Sequence, residues 1–391
     1  MLRLRKRRKK RRKRKRRNSQ EINNRMYAPI RKIVDFIKKQ PRVWLVVSLF
    51  LILICVILVG GYLLLTRTSF LDLFSREKID NTNQPQAEEQ KPVFNFYRLI
   101  DGVGVDAEEA VNQPIFAAQI ENLVDARPLS GISRANLVYE TLAEGGITRI
   151  LALFTAKSGV DEIGPVRSAR PYFLSWAEEY GALYAHSGGS PEALNSISKY
   201  DILDLNEFSN GQYFWRSRAR YAPHNLYTST GRLAEAFTAK EGKVKSDFDA
   251  WQFKDETELD GRPSEARRVK IYFSSKSYEV GWQYARESND YLRYQAGTIE
   301  QDRDGKEVKA KNIAVQFAKI TSIDAIDRKK IETVGEGEAI VFQDGIRIDG
   351  TWRKEAKGGR TKFYGSAGVE IKFNPGVTWV EVVPVGAEVE W

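Results

Sequence analysis

The chain has 391 residues and a net charge of +11, but the charge is unevenly placed. Residues 1–42 hold 20 Lys and Arg against only Glu21 and Asp35, and residues 66–391 hold the other 42 basic and 49 acidic side chains, a net of −7. The bulk of the chain is therefore mildly acidic, aromatic-rich and globular in composition, which excludes a general nucleic-acid binder and a disordered chain.

Fourteen of the first seventeen residues are Lys or Arg. Val43 to Leu65 follows, with no charged side chain. At 1.5 Å per residue this stretch spans ~34 Å as a helix, enough to cross a hydrocarbon core of ~30 Å. Inside lipid the backbone must satisfy its own polar groups, so a helix is expected. The basic flank predicts a cytoplasmic N-terminus and residues 66–391 outside the cell membrane, with Trp44 and Tyr62 at the two interfaces. The apolar run exceeds a signal-peptide core and no small-residue cleavage site follows Leu65, so an uncleaved signal anchor is expected. The expected partners are the lipid bilayer through residues 43–65 and anionic lipid headgroups through the basic tail. Nucleic acid is not expected as the main ligand.

The only cysteine, Cys55, lies in the apolar run, so the outer part has no disulfide and relies on packing. Residues 66–95 read as a polar stalk. A first domain of mixed α/β character is expected over 96–250. Phe116 to Ile120 reads as a buried strand, and 138–154 as a hairpin turning at Gly145-Gly146. A two-residue turn there places Glu140, Glu144 and Arg149 on one face. Pro171 to Tyr180 reads as a helix opened by its proline, Ala182 to Ala185 as a strand, and Pro191 onward as a helix capped by Ser190. A further helix is expected over 231–240.

A mainly β second domain is expected over 265–391. Its candidate strands are Lys270 to Phe273, Val280 to Tyr284, Tyr291 to Tyr294 and Asn312 to Phe317. Asp344-Gly345 predicts a hairpin between 339–343 and 346–352, and Asn374-Pro375-Gly376 one between 369–373 and 377–383. The fold class is thus α+β.

Candidate chemistry gathers in four short segments. His186 closes a strand before Ser187-Gly188-Gly189-Ser190, a strand–glycine loop–helix arrangement whose backbone N–H groups suit an anion. Arg167 and Arg170 add guanidinium forks for a phosphate or carboxylate. His224 is the second histidine of the outer part, and Glu140 and Glu144 are the candidate acid–base carboxylates. No phosphate-loop, zinc-protease or nucleophile-elbow motif is present, and no cofactor or metal is implied. The same residues also read as an internal salt-bridge network.

These segments together resemble a bacterial extracytoplasmic family of unknown function, the YerB-like proteins. The resemblance rests on RPLSGISRANLVYETLAEGGITR (127–149), IGPVRSARPYF (163–173), HSGGSPEAL (186–194), APHNLYTS (222–229), GTWRK (350–354) and FNPGVTWVEVVP (373–384). It implies a membrane-attached protein with an N-terminal mixed domain and a C-terminal β-rich domain, and names no reaction. Two functions are carried forward: a non-enzymatic envelope protein that binds an anionic wall component or a wall-synthesis partner protein, and a wall-acting hydrolase or lyase with a Glu/His site.

Overall fold

The computed structural model describes residues 94–245, 249–265 and 267–391. The basic tail, the apolar run 43–65 and nearly all of the stalk lie outside the described residues. Among those described, no helix is long and apolar enough to cross a membrane.

In the first half, β1 (Ile115–Glu121), β2 (Leu137–Leu142) and β3 (Thr148–Thr155) are buried along their whole length. Each alternates apolar side chains to two covered faces, as a central strand must. Helix α1 (Pro171–Glu178) starts at its proline, and the chain then enters β4 (Leu183–His186). Helix α2 (Pro191–Ser196) is capped by Ser190, whose Oγ accepts from Ala193 N at 3.2 Å. Next come β5 (Leu203–Asn206) and α3 (Thr230–Ala239).

The second half contains β6 (Arg268–Tyr272), β7 (Glu279–Ala285) and β8 (Asp290–Gln295), then β9 (Asn312–Ala318). A small hairpin, β10 (Ile320–Ser322) and β11 (Lys329–Ile331), precedes β12 (Gly335–Gln343), β13 (Ile346–Lys354), β14 (Lys362–Gly365) and β15 (Thr378–Pro384). Strands β6 to β8 form an antiparallel sheet with three short flanking strands.

Apart from the β10–β11 hairpin, which stands alone, the other strands build one mixed ten-stranded sheet in the order β14-β13-β12-β9-β15-β2-β3-β1-β4-β5. It runs through both halves of the chain. β15 lies parallel to both β9 and β2 and joins them. The anticipated 369–373/377–383 hairpin is therefore absent. Residues 374–376 instead form a corner: Asn374 N donates to Asn312 Oδ1 at 3.0 Å and Gly376 N to Asp101 O at 2.8 Å. The 339–343/346–352 hairpin forms as anticipated, and its open end extends further, to Gly335 and Lys354.

One face of the large sheet packs on the antiparallel sheet, with Val138, Ile150, Phe154 and Trp379 meeting Val269 and Trp282. The opposite face takes α1, where Trp176 stacks on Tyr139 at 5.0 Å. There Glu179 is fully buried, yet its carboxyl sits below the usual range. Burial raises it, but Lys354 at 2.9 Å, Arg360 at 3.2 Å and the Thr361 hydroxyl outweigh that. This cluster ties β13 and the β13–β14 loop to the helix.

Candidate functional site

β1, β4 and β5 run parallel, and a cleft opens beyond the carboxyl ends of β1 and β4, where crevices form in open α/β sheets. Residues 167–170 are laced between them: Arg167 N donates to Gln119 O at 2.8 Å, Ser187 N to Arg167 O at 3.0 Å, Ala169 N to Gly188 O at 2.9 Å and Ser190 N to Ala169 O at 3.2 Å. The cleft, of about 410 Å³, is lined by Glu121, Glu144, Arg149, Arg167, Arg170 and Arg328, with Asn122, Ser190 and a few apolar residues.

Four guanidiniums thus face two carboxylates. Glu144 pairs with Arg170 Nε and, at 3.5 Å, with Arg149 Nη2. Burial pushes its carboxyl up, but the Arg170 hydrogen bond and the charges of Arg149 and Arg170 bring it below the usual range. Glu121 bridges Arg167 Nε at 3.0 Å and His224 Nδ1 at 2.8 Å. Arg149 Nη1 donates to Ser168 O at 3.0 Å. Arg328 sits at the end of the β10–β11 turn, held through Nε by Asp324. That turn rests on the 143–147 loop, with Asp327 accepting from the Gly145 backbone. Both terminal nitrogens of Arg167 and of Arg328, and Nη2 of Arg170, have no protein partner among the described residues. Such forks are geometrically suited to an anion.

Of the residues singled out from sequence, Glu144, Arg167, Arg170 and Ser190 meet in this cleft. Ser187, Gly188 and Gly189 do not line it. The Ser187, Gly188 and Ser190 N–H groups are spent on Arg167 O, Asn206 Oδ1 and Ala169 O, so the loop positions the arginines rather than cradling an anion itself. His186 is fully buried, with Nδ1 on Gly188 O and Nε2 on Asp204 Oδ1, each at 2.7 Å. His224 stands behind Glu121. Sequence inspection did not find Glu121, Asn122 or Arg328. Glu121 directly follows the strand expected over Phe116 to Ile120 and carried a usable signal; Arg328 is some 160 residues from Arg167 and carried none.

Glu140 is displaced altogether. The 143–147 connection is five residues, not two, so Glu140 pairs with Ile150 and Thr141 with Arg149. A one-residue change of register turns a side chain to the opposite face. Glu140 therefore points to the antiparallel sheet, where Arg293 of β8 binds it and Glu300, all three being buried. The Arg293 guanidinium lies 4.5 Å from the Trp379 ring and 5.6 Å from that of Trp282. Glu381, beside Glu140 in register, accepts from Trp282 Nε1 at 2.9 Å. Burial, and then the Glu140 charge, push the Glu381 carboxyl up to about 8.

Two family profiles match the chain: residues 101–244 fit the N-terminal domain, and residues 269–380 the C-terminal domain, of a "Protein of unknown function (DUF3048)". The chain belongs to the DUF3048 family. It is 32% identical over 289 residues to "Putative lipoprotein YerB" of Bacillus subtilis (strain 168), covering 72% of this chain and 85% of that protein. Its fold is similar to the crystal structure of Bacillus subtilis YerB, with a TM-score of 0.68 at 29% identity over 76% of this chain and 100% of that one. The cleft-lining segments of this DUF3048 protein fall in both matched regions: Glu121 to Pro191 in the first, Ile326 and Arg328 in the second.

Proposed function

We propose that this DUF3048 protein is a membrane-anchored, extracytoplasmic binding protein whose arginine cleft holds an anionic group of the cell wall or of an envelope partner. The observation that carries this reading is the convergence of Arg149, Arg167, Arg170 and Arg328 on one solvent-open cleft against only Glu121 and Glu144. The relative's description as a lipoprotein supports attachment to a membrane. In this chain the apolar run 43–65 and its basic flank would provide a single-pass anchor with a cytoplasmic N-terminus. A stalk over 66–95 would carry a first domain over 96–250 and a second over 265–391.

The hydrolase reading needs a carboxylic acid kept protonated at neutral pH. Glu144 is shifted the opposite way, Glu140 is enclosed by Arg293, and Glu381, though raised to about 8, is fully buried and does not line the cleft. Binding is the better-supported function.

The test uses the full chain in neutral lipid nanodiscs and soluble anionic wall fragments. Arg167→Ala and Arg170→Ala should each weaken binding about tenfold, the worth of one charged hydrogen bond. Unchanged binding with a lowered melting temperature would mean that the arginines serve only the fold. Protease added to intact protoplasts should remove the large domain, and its protection would reverse the proposed topology.

A further inference from the structure

The cleft is not lined by charge alone. Ile326, at the tip of the β10–β11 turn, is 65% exposed and lines it from one side. Leu123 and Ile147 line it too, each packed into the core below while keeping part of its surface free. A site for a small inorganic ion or a fully polar sugar acid has no use for an exposed isoleucine beside its guanidiniums. An amphiphile does, because the two kinds of surface then meet two parts of one molecule.

The charge balance narrows the polar part. The four arginines exceed Glu121 and Glu144 by two positive charges, and Asp324, which holds Arg328 from behind, reduces the excess towards one. A phosphate ester carries one to two negative charges and presents two or three oxygens. That matches the terminal nitrogens left open on Arg167, Arg328 and Arg170. Arg167 also buries its Nε without a hydrogen bond of good geometry, so its side chain is placed by packing and charge and its fork remains available. A 30-residue stalk spans at most ~100 Å, so a cleft tethered as proposed cannot leave the neighbourhood of the bilayer.

We infer that the cleft takes a phosphate ester of an apolar alcohol: the arginines hold the phosphate, and Ile326, Ile147 and Leu123 cover the first carbons of the chain. This rests on the anion-binding reading above and adds the ligand class. A phosphate bound for its charge and a phosphate borne by a lipid share the same polar chemistry, and only the apolar contact separates them.

The experiment is calorimetric titration of the full chain, in a neutral maltoside detergent, with hexyl phosphate, inorganic phosphate and hexanoate. Each methylene that enters the cleft should add about fourfold to affinity. Hexyl phosphate should therefore bind at least tenfold more tightly than inorganic phosphate, and hexanoate should be the weakest. Ile326→Ser should lower hexyl phosphate affinity several-fold and leave inorganic phosphate unchanged. A variant with Arg167→Ala and Arg328→Ala should weaken both phosphates tenfold or more; because it keeps the basic tail, binding by the tail cancels in the comparison. Equal affinity for the two phosphates, or an Ile326→Ser effect on both, overturns the amphiphile inference while the anion site stands. Loss of all arginine dependence overturns both.

Discussion

Two ionic clusters sit back to back in this molecule, and the difference between them separates a site from a structural device. In the cleft, arginines outnumber carboxylates, Arg167 is 30% exposed, and several guanidinium nitrogens have no hydrogen-bond partner among the described residues. Around Arg293 the ratio is inverted: one fully buried guanidinium serves Glu140 and Glu300, with Glu381 alongside. Asn122 touches both, lining the cleft and donating to Glu140 Oε1 at 3.0 Å. Burial drives the contrast. A closed interior cannot hold excess charge, so the surplus carboxyl, Glu381, takes a proton. An open cleft is solvated, so its surplus of cations needs no such neutralisation.

The largest effect that would break this comparison is expected at Arg293. Arg293→Met removes the guanidinium that is ion-paired with both Glu140 and Glu300 and should cost about 3–5 kcal/mol in denaturant unfolding. Adding Glu140→Gln and Glu300→Gln should recover much of that. If Arg293→Met costs under about 1 kcal/mol, the cluster is not an obligatory charge pair.

Glu381 comes next. Its folded value of about 8 lies above the ordinary 4.5, so the native state keeps a proton that the unfolded chain has lost. Its contribution is complete below pH 4.5 and disappears as pH rises through 8. Stability should fall across that window with a slope of at most ~1.4 kcal/mol per pH unit from this group. Glu381→Gln, which can still accept from Trp282, should flatten the slope and gain about 1–3 kcal/mol at pH 8. A wild-type profile level from pH 5 to pH 8 would contradict the assignment.

Smaller changes in stability belong to the cleft. Arg167→Ala should alter stability by less than about 1 kcal/mol, because its pair with Glu121 is partly solvated. The same change should weaken anion binding about tenfold, so Arg167 is expected to affect affinity with little loss of stability, whereas Arg293 is expected to affect stability. The smallest effect is expected for Glu144→Gln. Its carboxyl titrates below the usual range, so its contribution is present above pH 4.5 and fades as pH falls through the lowered value. The substitution should cost roughly 1 kcal/mol or less near pH 7 and flatten only the acid limb. Affinity for phosphate should rise a few-fold as a repelling charge leaves. Weaker phosphate binding by this variant would show that Glu144 matters mainly by holding Arg170 in place.

Local chemistry carried much of the fold. Pro171 and Ser190-Pro191 start the helices they were expected to start, and the apolar runs at 115–121, 148–155 and 312–318 are buried strands. These features depend on neighbouring residues, where proline geometry, capping and alternation act. Arg167, Arg170 and Glu144 could be named for the same reason: they sit in short motifs rich in Arg, Gly and Pro. What sequence alone could not supply is whatever depends on distant partners. The 143–147 loop closes as five residues because Ala143 N pairs with Ile147 O at 2.7 Å and Ile147 N with Glu144 O at 3.1 Å, and that register sends Glu140 inward to an arginine 153 residues away. The corner at 374–376 is set by Asn312 and Asp101, so β15 enters the sheet beside β2 instead of folding back as a hairpin. Arg328 reaches the cleft only because the β10–β11 turn docks on Gly145. Propensity and capping are decided within a turn or two of chain, whereas register, strand order and the sharing of a charge are decided by which surfaces must be buried together.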